Sequence, residues 1–160
     1  MIQNLQLEVT QTILNHHNMP EVSYKDIDGK DLIPIGITLY GTAPATAANY
    51  DVFFIADRAY EIYQVSEVHR VLGTSAGAVT VNVERLSGTE ALDAGDTVCV
   101  TAFDLKSTIN TVVKKRTTDL QNRVLAIGDR LALKDTGTLT AVAGLTVRLL
   151  LKPIGKGDYI

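Results

Sequence analysis

The stretch Asp51–Arg85, DVFFIADRAYEIYQVSEVHRVLGTSAGAVTVNVER, holds two apolar runs, a glycine-rich break and a third run of near-perfect alternation. In that third run Val79, Val81 and Val83 share one parity while Thr80, Asn82 and Glu84 share the other, so a pleated strand is expected to bury the valines and wet the polar set. The break from Gly73 to Gly77 separates β-branched runs with residues that tolerate positive φ, which predicts an antiparallel hairpin. Along Ala59 to Leu72 the apolar phase slips from Tyr60 and Ile62 to Tyr63 and Val65 and back to Val68, the mark of bulges that bend a long strand.

Working outward, the same grammar recurs. Leu32 to Tyr40 (LIPIGITLY) reads as a strand with Pro34 placing it near an edge or a strand start. Thr97 to Phe103, Thr111 to Thr118, Arg123 to Ile127 and Arg130 to Lys134 read as further strands, with a tight turn at Gly128-Asp129. Leu145, Val147, Leu149 and Leu151 alternate with Thr146 and Arg148 between Gly144 and Pro153, which predicts a strand with a buried odd face. No helical pattern of crossover length separates these runs, so the expected fold is all-β: an antiparallel two-sheet β-sandwich, jelly-roll-like.

Residues 1–31 differ from the body, residues 32–160, and read as an N-terminal arm. Ile2, Leu5, Val9 and Ile13 recur at helical spacing while Leu5, Leu7 and Val9 alternate as in a strand, and Pro20 ends the segment. Ile2, Leu5, Leu7, Val9, Ile13 and Leu14 are the candidate attachment residues, because they carry more apolar surface than a free tail tolerates.

At 160 residues one domain is expected, burying roughly 70% of its unfolded surface. The lone Cys99 excludes an internal disulfide and reads as a buried, inert thiol. A net charge of −3 argues against nucleic-acid binding, and the one basic run, Lys114-Lys115-Arg116, reads as a solvated or edge strand. Neither a spanning segment nor an export signal is visible, so no membrane partner is expected.

No residue set is laid out for catalysis. Asp26, Asp28 and Asp31 crowd together without the order or the distal glutamate of a calcium loop and read as a turn, and His16, His17 and His69 do not assemble into a metal set. Glycines form no phosphate cradle, and the serines sit in no nucleophile elbow. A nucleotide hydrolase of the dUTPase kind would need a glycine-rich phosphate loop, of which GLTVRLLLKPIGKGDY is a loose echo. Tyr40, Tyr50, Tyr60, Tyr63, Phe53 and Phe54 would either stack sugars or pack in the core and subunit contacts, the second being the expectation. The chain is therefore expected to be no enzyme and to need no metal or cofactor.

Four segments, FFIADRAYEIYQVSEVH (Phe53–His69), GTSAGAVTVNVERLSGT (Gly73–Thr89), FDLKSTINTV (Phe103–Val112) and AIGDRLALKDTGTLTAVAGLTVRLLLKP (Ala126–Pro153), occur in an order that resembles the tailed-bacteriophage decoration, cement or head-fibre proteins that coat the head. Each is a strand-and-turn pattern, so the resemblance transfers no site residue. It implies a β-sandwich, often a homotrimer, made in the host cytoplasm and carried on the capsid surface of the virion, where it would bind the major capsid protein and stabilise the shell. The alternative is a receptor- or carbohydrate-binding module of a head or tail fibre.

Overall fold

The computed structural model describes residues 24–25, 31–40, 52–117, 120–139 and 141–155. The elements in chain order are β1 (Tyr24–Lys25), β2 (Asp31–Leu39), β3 (Phe54–Ile55), β4 (Tyr60–Val68), β5 (Thr80–Leu86), β6 (Asp96–Thr97), β7 (Phe103–Asp104), β8 (Val113–Lys115), α1 (Leu120–Arg123), β9 (Val124–Leu125), β10 (Arg130–Thr136) and β11 (Leu145–Pro153). One sheet runs β1-β2-β11-β4-β8 with β9 also on β4; the other runs β3-β10-β5-β6 with β7 also on β5, and every pairing is antiparallel.

That order is a long hairpin rolled up on itself. The first long strand pairs with the last (β2 with β11), β3 with β10, β4 with β8, and β5 with β6, while β11 and β10 also reach across to β4 and β5. An all-β sandwich with jelly-roll connectivity results. Between the sheets lie Ile62 and Val65 of β4, Val81 and Val83 of β5, Leu131 and Leu133 of β10, and the odd face of β11. Leu145, Val147, Leu149 and Leu151 are all buried, as the alternation predicts.

The phase slip in β4 is a bulge. Leu150 pairs with Gln64 but Leu151 with Ile62, which leaves Tyr63 as the extra, exposed residue. The buried parity changes there from Tyr60 and Ile62 to Val65, Glu67 and His69, and no return at Val68 occurs. Pro34 lies on β2, whose outer edge is paired among the described residues at Asp31 and Leu32 alone, an edge position where a missing N–H is tolerated.

Several expectations are corrected. The Gly73–Gly77 break does not close a hairpin, because β4 and β5 belong to different sheets and the loop crosses between them. Val79, Val81 and Val83 are buried, but Asn82 and Glu84 on the other face are buried too. The chain after β5 folds back over that face: Glu84 accepts the backbone N–H groups of Asp93 (2.9 Å) and Gly95 (3.2 Å), and Lys134 Nζ donates to the Asp93 carbonyl at 2.7 Å. Thr97 to Phe103 is not one strand. It breaks into β6 and β7 because Cys99 leaves β5 to bridge Thr117, and Val98 is buried while Val100 is exposed. Residues 120–123 turn as helix α1 before a two-residue β9. Of the segment expected to be an arm, Tyr24–Lys25 pairs with Leu32 and Asp31 at the edge of the first sheet; Ile2, Leu5, Leu7, Val9, Ile13 and Leu14 lie outside the described residues.

Candidate functional site: a laced loop platform

Strand polarity gathers four connections at one end of the sandwich. β2 ends with Leu39 opposite Leu145, β4 ends with Val68 opposite Thr146, and β5 begins with Thr80 opposite Thr136. The connections after β2, β4, β7 and β10 therefore share this end; of the first, Tyr40, Val52 and Phe53 are described.

Three of these loops are tied together through their backbones. The N–H groups of Arg70 and Val71 donate to the Ala143 carbonyl at 3.0 and 3.1 Å, Gly73 N–H donates to Leu105 at 2.9 Å, and Asn110 N–H donates to His69 at 2.8 Å. Lys106 Nζ adds bonds to the carbonyls of Ser75 (2.8 Å) and Gly77 (3.2 Å). Gly137 has a φ of +83°, and a Cβ there would stand 1.9 Å from the Ala78 carbonyl oxygen, so only glycine lets these two loops meet. Thr108 and Asn110 hold positive φ values of 29° and 55°. Asparagine accepts that region readily, but a β-branched threonine does so at a cost that the surrounding bonds must offset.

Beneath this lacing lies a buried acid–base pair that sequence reading missed. Glu67 and His69 are 2% and 1% exposed, and Glu67 Oε1 sits 2.6 Å from His69 Nδ1. Burial pushes the Glu67 carboxyl above its ordinary range, while the bond from His69 pulls it back. His69 Nε2 is buried with no hydrogen-bond partner among the described residues. Sealed from solvent, the pair fixes the backbone of His69, whose carbonyl holds Asn110 in the loop above. The signal that could have found it is the bulge, since a one-residue slip at Tyr63 turns Glu67 and His69 inward.

The platform presents apolar side chains to solvent. Tyr40 is 84% exposed, and Val71, Leu72, Ile109 and Val112 are exposed beside the laced loops. Chemically such a surface adheres: it is preorganised and loses apolar area to water-free contact when covered.

The residues singled out by sequence are dispersed. Cys99 is buried in the core, and burial pushes its thiol up to about 12. Lys114, Lys115 and Arg116 lie on and beside β8, an edge strand of the first sheet, as expected. The aromatic group is split: Tyr60 is buried with its ring 5.8 Å from that of Phe54, Phe53 and Phe54 are half-buried, Tyr63 stands on the bulge and Tyr40 on the platform. Asp31 is exposed on β2; Asp26, Asp28, His16, His17 and Tyr50 lie outside the described residues. No group of three metal-ligating side chains occurs among the described residues, nor any helix long and apolar enough to cross a membrane.

Comparison with known protein families, with curated proteins and with solved structures finds no match for this chain.

Proposed function

We propose that the chain is a structural virion protein of a tailed bacteriophage, a decoration or cement subunit that binds the major capsid protein and stabilises the head. The observation that carries this reading is the laced loop platform, whose exposed Tyr40, Val71, Leu72, Ile109 and Val112 suit adhesion to another protein surface. The resemblance of the strand-and-turn segments to head-coating proteins supports it, and in this reading the subunit works as a homotrimer without a reaction or a cofactor. Capsid shells lacking the protein, mixed with it and sedimented, test the proposal. Wild-type chain should pellet with the shells, and Leu72→Asp with Val112→Asp should stay in the supernatant while melting as the parent does. Retention of that variant at wild-type occupancy would remove the platform from the mechanism.

Tyr40 favours a second reading. An aromatic ring this exposed at the loop end would stack a sugar in a receptor-binding fibre module. Glycan-array binding that is lost in Tyr40→Ala would select that reading over the first.

A further inference from the structure

The β2 edge of the first sheet leaves the sandwich open. On one side β2 pairs with β11 from Ile33 to Leu39; on the other, β1 reaches Asp31 and Leu32, and no strand among the described residues lies beside residues 33–39. The core-facing side chains of this run register the gap. Ile33 is 38% exposed and Ile35, Ile37 and Leu39 are half-buried, whereas their partners on β11, Leu151, Leu149, Val147 and Leu145, are buried. A proline stands in a paired strand with its nitrogen turned away from the neighbour, so the backbone groups of Pro34, Gly36 and Thr38 turn to the open side.

This run is its own complement. Paired antiparallel with itself about Gly36, it sets Ile33 opposite Leu39 and Ile35 opposite Ile37 on the core face, and Pro34 opposite Thr38 on the other. Gly36 meets Gly36 at the centre, where a Cβ would stand 2.5 Å from the Val147 carbonyl oxygen, so no side chain obstructs the approach. Both limits of the run fit as well. β1 stops at Leu32, where the incoming strand begins, and β2 ends at Leu39, before the chain would meet the β1 of the other copy. No residue from Ile33 to Leu39 is charged, so two chains of net charge −3 meet here without like charges face to face.

We propose that a second copy of this chain docks along residues 33–39, the two β2 strands pairing antiparallel about a two-fold axis at Gly36 and joining the two first sheets into one. The contact continues the edge that β1 begins to cover, and it closes the core over Ile33, Ile35, Ile37 and Leu39 with the same row from the other copy. Gly36 exchanges two backbone hydrogen bonds with its mate, and each Pro34 carbonyl accepts the opposite Thr38 N–H; the missing Pro34 N–H forfeits one bond on either side. Seven residues a side bury on the order of several hundred Å², below a standard interface, so the pairing is of micromolar strength. It goes beyond the capsid reading. That reading carries a homotrimer, whereas this contact is two-fold, so the mass of the assembly separates them.

Sedimentation equilibrium of the full chain, from about 5 to about 500 μM, should show the mass doubling as concentration rises: one copy to two, or three to six where a three-fold contact also forms. Ile33→Lys places a cation on the open edge opposite Leu39 and should weaken the doubling roughly tenfold or more while the protein melts near the parent. Register is tested by disulfide trapping. Ile33 and Leu39 would form a pair without backbone bonds, their Cα atoms about 4.5 Å apart, within disulfide reach. Ile33→Cys with Leu39→Cys should therefore give a linked two-chain species on mild oxidation, and Ile33→Cys alone should not. Constant mass of one or three copies across the range, undiminished doubling in Ile33→Lys, or no linked species from the double variant would each overturn the proposal. None of these outcomes bears on sedimentation with shells through Leu72 and Val112.

Discussion

The side-chain amide of Asn82 pairs with the backbone of Cys99 as a neighbouring strand would: Nδ2 donates to the Cys99 carbonyl at 3.0 Å, and the Cys99 N–H donates to Oδ1 at 3.2 Å. A side chain thus supplies the ladder bonds at the point where the chain leaves β5. Asn82→Leu would keep the volume and leave both Cys99 groups buried without partners. The expected loss is about 2–4 kcal/mol in chemical denaturation. A variant as stable as the parent would show that water or another group takes over both bonds.

Asp135 has its Oδ1 buried without a hydrogen-bond partner among the described residues, and burial, reinforced by the Asp93 carboxylate, pushes its carboxyl above the ordinary range. For a group raised on folding, the stability it contributes is complete below its unfolded value and is lost as pH rises through its folded value. Asp135→Asn should therefore melt higher than the parent at pH 7, and the gain should shrink as pH falls to about 4. Melting curves at both pH values check the sign; a gain that grows on acidification would contradict it.

Cys99 should be silent in the native protein. With its thiol buried and pushed up to about 12, almost no thiolate exists at pH 8, so a disulfide reagent should label it only at the rate of unfolding. Prompt stoichiometric labelling without denaturant would place the sulfur at the surface.

Gly137→Ala should disrupt the loop platform from below. The new Cβ meets the Ala78 carbonyl oxygen at a positive φ, and separating the loops or straining the backbone is expected to cost about 2 kcal/mol or more. Amide exchange should accelerate at Gly73, Leu105 and Asn110, whose N–H groups bond across the platform. Unchanged protection would mean the loops hold their arrangement without the Gly137 contact.

Those features divide by how far their causes lie along the chain. Leu145 to Leu151 could be read directly, because one strand with one buried face imposes period two on its own residues. The slip at Tyr63 was also visible, since a bulge is local. Asn82 and Glu84 misled: their alternation is genuine, but residues 87–99 fold back to cover them, and nothing within β5 records that cover. The Gly73–Gly77 loop misled similarly, because turn residues do not reveal whether the next strand joins the same sheet. Of the candidate site, the exposed apolar residues look in sequence like any other strand ends. His69 alone reads as a strand-surface or packing histidine, and its pairing with Glu67 emerges only when the slip is carried further along β4.

The pairing of β2 with β11 joins Leu39 to Leu145 and Ile33 to Leu151. A chain emerging from the ribosome can offer Asp31–Leu39 no partner in β11 until nearly the whole domain is made. Folding must then close its longest loops before the first sheet gains its central pairing, an entropic search that places such a topology among slow folders. Until it ends, an uncharged run from Ile33 to Leu39 stays open to pairing with other chains. Pro34, which can donate no ladder bond, and Gly36 interrupt that run and lower its propensity to aggregate during the wait.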